Sequence, residues 1–240
     1  MSTPDPMETA STETPGPEGA PLSPFPKRVL EVFFSPGRLM EGLAAKPAWG
    51  AALVLGLVLL ILPILLIPPE IWMAMVREQM IARGQDPSAL PATGATVFRI
   101  GALISVPIVY LVTTMIFAGL LTLVFAFVMG DEGRFKQYLA SLTHAMLIPA
   151  FVGLALVPLR IAQADPRLTL NVGTFLFFLP EGYLLRWATM MDLSMFWAWL
   201  VIAMGAHAID RRRSFASAAT VVLILFVVST ALFALLPGAG

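Results

Sequence analysis

Cysteine is absent from the 240 residues, so neither a disulfide nor a thiolate metal site can form. Charge is scarce as well, at 12% of residues against about 25% in a soluble domain. Fifteen basic residues balance fifteen acidic ones. No basic face stands out, so nucleic acid is not an expected partner. The sequence has no glycine-rich phosphate loop, no nucleophile elbow and no paired zinc-ligand motif. The expectation is therefore a non-enzymatic chain with no cofactor and no metal. Residues 1–26 contain no Lys or Arg and no apolar centre, so they do not read as a signal peptide. Rich in Pro, Ser, Thr and acids, they bury too little to offset chain entropy and read as a disordered tail.

What is present is apolar sequence, 58% of the chain. A hydrocarbon core roughly 30 Å thick is crossed by about 20 apolar helical residues. Five runs meet that need, near residues 49–67, 98–129, 139–158, 190–209 and 215–236. The fold class expected is an all-α membrane protein: a bundle of five transmembrane helices within residues 49–236. Residues 27–48 are amphipathic, with Val29, Leu30, Phe33 and Phe34 set against Lys27, Arg28 and Glu31. They suit the headgroup boundary as a lead-in on the membrane surface. Pro63 and Pro107 are expected kinks, and Glu70–Arg83 is too charged to span. Residues 163–187 read as a surface-lying or partly re-entrant segment.

The stretch from Val97 to Pro158 is the structural centre. Its two apolar runs are joined by Gly130-Asp131-Glu132-Gly133-Arg134-Phe135-Lys136, a charged turn expected to be solvated at the membrane surface. An inward N-terminus places nine of the fifteen Lys and Arg in the cytoplasm, including Arg134, Lys136, Arg211, Arg212 and Arg213. The positive-inside rule then sets the N-terminus inside and the C-terminus outside, in a bacterial cytoplasmic (inner) membrane.

Polar groups within spans are the candidate functional residues, because they are costly to leave unpaired in lipid. His144 is expected to make an interhelical hydrogen bond near the interface. His207, three residues before Asp210, reads as a local cap or ion pair. Asp192 precedes Leu193 as an N-cap would, the alternative being a buried acid facing the bundle centre. Glu181 reads as an interfacial loop acid. Ser141 and Ala145 have a small-xxx-small spacing that permits close helix contact.

Phe33-Phe34-Ser35-Pro36, Leu43 and Lys46-Pro47-Ala48-Trp49 resemble the start of bacterial members of the Ypt-interacting-protein (YIP) domain family. Gly130, Gly133, Phe135-Lys136-Gln137 and Pro149 resemble that family's central turn and third helix. Asp192-Leu193, Phe196-Trp197 and Gly205 resemble its fourth. The resemblance covers about residues 29–236 and implies five membrane helices after a cytoplasmic N-terminal region. Eukaryotic members are linked to vesicle traffic and Ypt/Rab GTPases. Their Tyr-Gly-Pro-type motif does not occur here, which counts against GTPase binding. The resemblance implies no catalytic residue. A scaffold or membrane-organising role is expected, with a small transporter or channel subunit as the alternative. The expected partners are the lipid bilayer and either another membrane protein or a second copy of the chain.

Overall fold

The computed structural model describes residues 22–91, 93–176 and 178–235. Most of the expected tail, and Leu236 at the end of the expected fifth span, lie outside the described residues. Eleven α-helices and no strand occur among those residues. They are α1 (Phe25–Phe34), α2 (Pro36–Ala45), α3 (Gly50–Leu66), α4 (Pro69–Ala82), α5 (Gly94–Thr122), α6 (Phe135–Ala145), α7 (Leu147–Ala155), α8 (Val157–Ala162), α9 (Tyr183–Met190), α10 (Leu193–Ile209) and α11 (Phe215–Phe233).

Proline sets most of the breaks. Pro36 follows the Ser35 hinge between α1 and α2, where a ring with fixed φ starts a helix well. Pro63 is accommodated inside α3, while Pro68 and Pro69 turn the chain so that α4 leaves α3 at 88°. Pro107 does not interrupt α5. The irregularity falls instead at Leu123–Val128, a π-helical turn that brings α5 to its end.

The expected third span is three consecutive segments. Pro149 and Pro158 have no N–H to donate to the carbonyls of Ala145 and Leu154. The α-helical ladder accordingly lapses at Met146 and Leu156. The segments still run on as one apolar stretch, Phe135–Ala162. Among the described residues, three stretches are long and apolar enough to cross a membrane: Gly94–Val128, Phe135–Ala162 and Phe215–Phe233. The α3–α4 pair passes the same test only if its two arms, bent at 88°, count as one span, and α10 is apolar but only 17 residues long.

The main core lies where α2, α6 and α10 meet α5 and α11. Val32, Leu39, Met40 and Leu43 of α1 and α2 are essentially inaccessible within it. The amphipathic lead-in is thus part of the fold and closes one end of the bundle. Only its outer face, with Leu30 and Phe34, stays exposed. At the other end, α4 covers the start of α5 through Trp72 and Phe98, whose rings lie 5.7 Å apart.

Candidate functional site

The candidate side chains make their polar contacts at two ends of the bundle, His144 and His207 at one and Asp192 at the other. The first end holds α1, α2 and the two short turns, 130–134 and 210–214.

Arg28 reaches from α1 into the bundle and is only 7% exposed. Its Nη1 donates to the Ala48 carbonyl at 3.0 Å and to His144 Nε2 at 3.2 Å. His144 is fully buried on α6, and its Nδ1 lies 2.9 Å from the Ala140 carbonyl. A carbonyl only accepts and a guanidinium only donates. The proton is therefore on Nδ1, Nε2 is the acceptor and the imidazole is neutral. The interhelical bond expected of His144 is present, with a partner the sequence did not suggest. Burial lowers the Arg28 pKa and nearby Glu31 partly offsets this. The Arg28 guanidinium also sits 5.2 Å from the centre of the Phe25 ring.

The two turns are interlocked. Asp131 and Asp210, 8% and 6% exposed, are the acids the sequence reading left to solvent or to a local cap. Arg213 grips Asp131 in a bidentate pair, with Nε 2.9 Å from Oδ2 and Nη2 2.5 Å from Oδ1. It also donates to the Met129 carbonyl, and its guanidinium faces the Phe125 ring at 5.8 Å. Asp210 accepts from Arg212 Nη2 at 2.6 Å and from the Glu132 N–H at 3.2 Å. His207 does not pair with Asp210. Its Nδ1 lies 2.6 Å from the Arg213 carbonyl, so it donates there and holds the 210–214 turn closed. Two further bonds tie this end to α2: Arg211 to Glu41 at 2.7 Å and Gln137 to the Ala44 carbonyl at 2.7 Å.

The Arg212 side-chain hydrogen bond holds the Asp210 carboxyl well below the usual carboxylate range, helped by the Arg212 and Glu132 N–H groups and opposed by burial. A depressed carboxyl pKa contributes stability above the unfolded value of about 4 and loses it as pH falls below that. Stability measured in detergent between pH 5 and 8 should therefore not change through Asp210. Below about pH 4, the wild type should weaken more steeply than Asp210→Asn.

The second end holds Asp192. Its Oδ1 accepts from the N–H groups of Ser194 at 2.7 Å and Met195 at 3.2 Å, and from the Ser194 hydroxyl. This is the expected N-cap of α10. An isolated antiparallel bridge pairs it with Asn171, so residues 168–172 lie alongside the start of α10. Asp192→Ala should cost about 1 kcal/mol, read as a lower unfolding midpoint. Arg167 reaches Glu78 on α4 at 3.0 Å and joins the two connections on this side. Glu181 is exposed, in the Pro180-Glu181-Gly182 turn before α9.

The four candidates do not converge. His144 sits beneath α1, and Asp192 and His207 occupy opposite ends of α10, about 22 Å apart along a helix of this length. No group of three or more metal-capable side chains occurs among the described residues. Arg28, Asp131, Asp210 and Arg213 do not stand out in the sequence as members of the polar network at the first end. The available signal was the complementary charge of two short turns, acids at 131 and 132 and bases at 211 to 213. The family model of the Yip1 domain matches residues 30–235. No curated protein and no solved structure matches the chain.

Proposed function

The chain belongs to the Yip1 domain family of membrane proteins, and from that premise we propose that it is a non-enzymatic scaffold or organiser that crosses a bacterial cytoplasmic membrane five times. The crossings are α3, α5, the α6–α8 stretch, α10 and α11. Supporting this count, the start of α3, the end of α5, the start of α6, the end of α10 and the start of α11 share one rim with α1 and α2. The α4 helix and the 163–170 connection share the other, joined by Arg167 and Glu78. At about 25 Å, α10 is short for a bilayer core, but Asp192 and Asp210 flank it at both limits. The rim with Arg134, Lys136 and Arg211–Arg213 is the cytoplasmic one by the positive-inside rule. Single cysteines support this orientation if an impermeant thiol reagent labels position 88 but not 132 in intact cells; the reverse pattern contradicts it.

The observation that carries the scaffold reading is that three of the four candidates are each engaged in a bond that shapes the fold. His144 anchors α1, Asp192 caps α10 and His207 closes a turn. A transporter site needs polar groups that converge near mid-membrane beside a broken helix. Crosslinking in native membranes followed by affinity capture tests the reading. A scaffold yields a discrete adduct with another membrane protein or a second copy of the chain. Lipid adducts alone, together with a protein-dependent solute flux in vesicles, would overturn it in favour of a small transporter or channel subunit.

A further inference from the structure

Beside the locked turns lies a cleft of about 500 Å³, lined by Ala44, Ala45 and Pro47 of the α2 end and by Arg134, Phe135, Lys136 and Gln137 at the start of α6. Its charged residues are all cations. Arg134 and Lys136 are exposed and make no ion pair among the described residues, and Lys46, between two lining residues, is exposed as well. The acids nearest in sequence are already committed: Asp131 to Arg213 and Glu132 to Arg212. Glu41 is committed likewise, to Arg211. The ion-pair network of this rim thus uses its acids on the arginines at 211–213 and leaves the cleft with uncompensated positive charge.

Depth matters as much as charge. The cleft opens where two apolar stretches begin, α3 at Gly50 just after Trp49 and α6 at Phe135. Trp49 is an interfacial aromatic by position. Phe135 is 39% exposed between the two cations, with an apolar ring for the acyl boundary beside charges for the headgroup layer. Basic side chains at this level attract anionic lipid, each contributing separately. A guanidinium matches two phosphate oxygens at once, and a lysine adds a point charge. The Gln137 side chain is held by the Ala44 carbonyl and the Arg134 N–H, so the floor of the cleft is fixed before any ligand arrives.

We propose that this cleft binds the phosphate headgroup of an anionic phospholipid from the adjoining leaflet, with Arg134 and Lys136 as the binding residues. The proposal does not depend on the scaffold role, since a lipid site would be kept by a transporter too. The test uses the full chain in detergent and native mass spectrometry, with phosphatidylglycerol and phosphatidylcholine of identical acyl chains as probes. The wild type should retain the anionic lipid in preference. The double variant Arg134→Gln/Lys136→Gln should lose roughly tenfold or more of that preference, with unchanged circular dichroism and elution volume. Arg77→Gln/Arg83→Gln, which removes two exposed cations elsewhere, should keep it. Equal retention by the cleft variant would overturn the proposal, as would an equal loss in the control pair. Displacement of the lipid by millimolar inorganic phosphate alone would show a free-anion site and overturn it too.

Discussion

Replacing Asp131 with Asn should destabilise the folded protein by about 3–5 kcal/mol, the largest effect expected of any single polar change. The substitution keeps the shape of the side chain and removes its charge. Arg213 would then remain with its side chain 13% exposed and no carboxylate in its grip. Its remaining contacts, the Met129 carbonyl, the Ser217 hydroxyl and the Phe125 ring, are neutral and cannot replace the charge. The loss belongs to a largely enclosed cation deprived of its carboxylate rather than to the worth of the pair, so removing both partners should be far milder. The double variant Asp131→Leu/Arg213→Met should recover most of the stability. Glu132→Gln is the internal contrast. Glu132 also faces an arginine, but its side chain is 83% exposed and Arg212 is 65% exposed, and such pairs contribute about 0–1 kcal/mol. Unfolding midpoints in mixed micelles titrated with denaturing detergent would rank the four proteins. Asp131→Asn no weaker than Glu132→Gln would contradict the account of this rim.

Gly205→Leu should be comparably damaging, through packing rather than charge. A Cβ at this position of α10 would lie 2.5 Å from Ser141 Oγ, 2.7 Å from Ser141 Cβ and 3.2 Å from Met40 Sδ. Helices α2, α6 and α10 therefore touch with no room for a side chain. Overpacking of this kind costs about 1–3 kcal/mol and occasionally more, and a leucine has several atoms to place beyond Cβ. Gly205→Ala should already be harmful, and its remedy is specific. Ser141→Gly removes both closest atoms, leaving the Met40 sulfur, at the end of a flexible chain that can move. The Ser141 hydroxyl is buried without a partner, so its removal should carry little penalty of its own. Gly205→Ala/Ser141→Gly should thus be more stable than Gly205→Ala. Gly101→Ala and Gly153→Ala, which open onto free space, should be close to neutral.

These two sites mark what the sequence made legible. Gly205 and Ser141 were both singled out from the chain alone, one by resemblance and one by small-residue spacing. Their contact with each other was not, because it depends on how three helices cross. Asp192 was readable as an N-cap because capping is local, decided within three residues. The bend at Pro68-Pro69 is equally local, set by two adjacent rings that end α3. Pro107 shows the limit of such rules: α5 runs unbroken through it, and the irregularity falls at Leu123–Val128 instead. Pro149 and Pro158 carried the signal for breaks at Met146 and Leu156, yet the continuous apolarity of the stretch concealed it. The rim network was the least legible part. Asp131 and Arg213 are far apart in the chain, and each alone resembles a solvated turn charge. Only the antiparallel packing of α10 on α6, which sets the 210–214 turn beside the 130–134 turn, brings them together. Likewise, Arg28 looked like a surface cation of an amphipathic helix until α1 was seen folded against His144.

The central claim is that Asp192 and His144 build the structure of this protein and carry no solute. It is tested most directly by proton and ion flux in vesicles containing the wild type, Asp192→Asn or His144→Ala, across a range of pH. The account predicts that all three match protein-free vesicles, with the variants inserted at normal levels. A pH-dependent flux in the wild type that either substitution abolishes would contradict it.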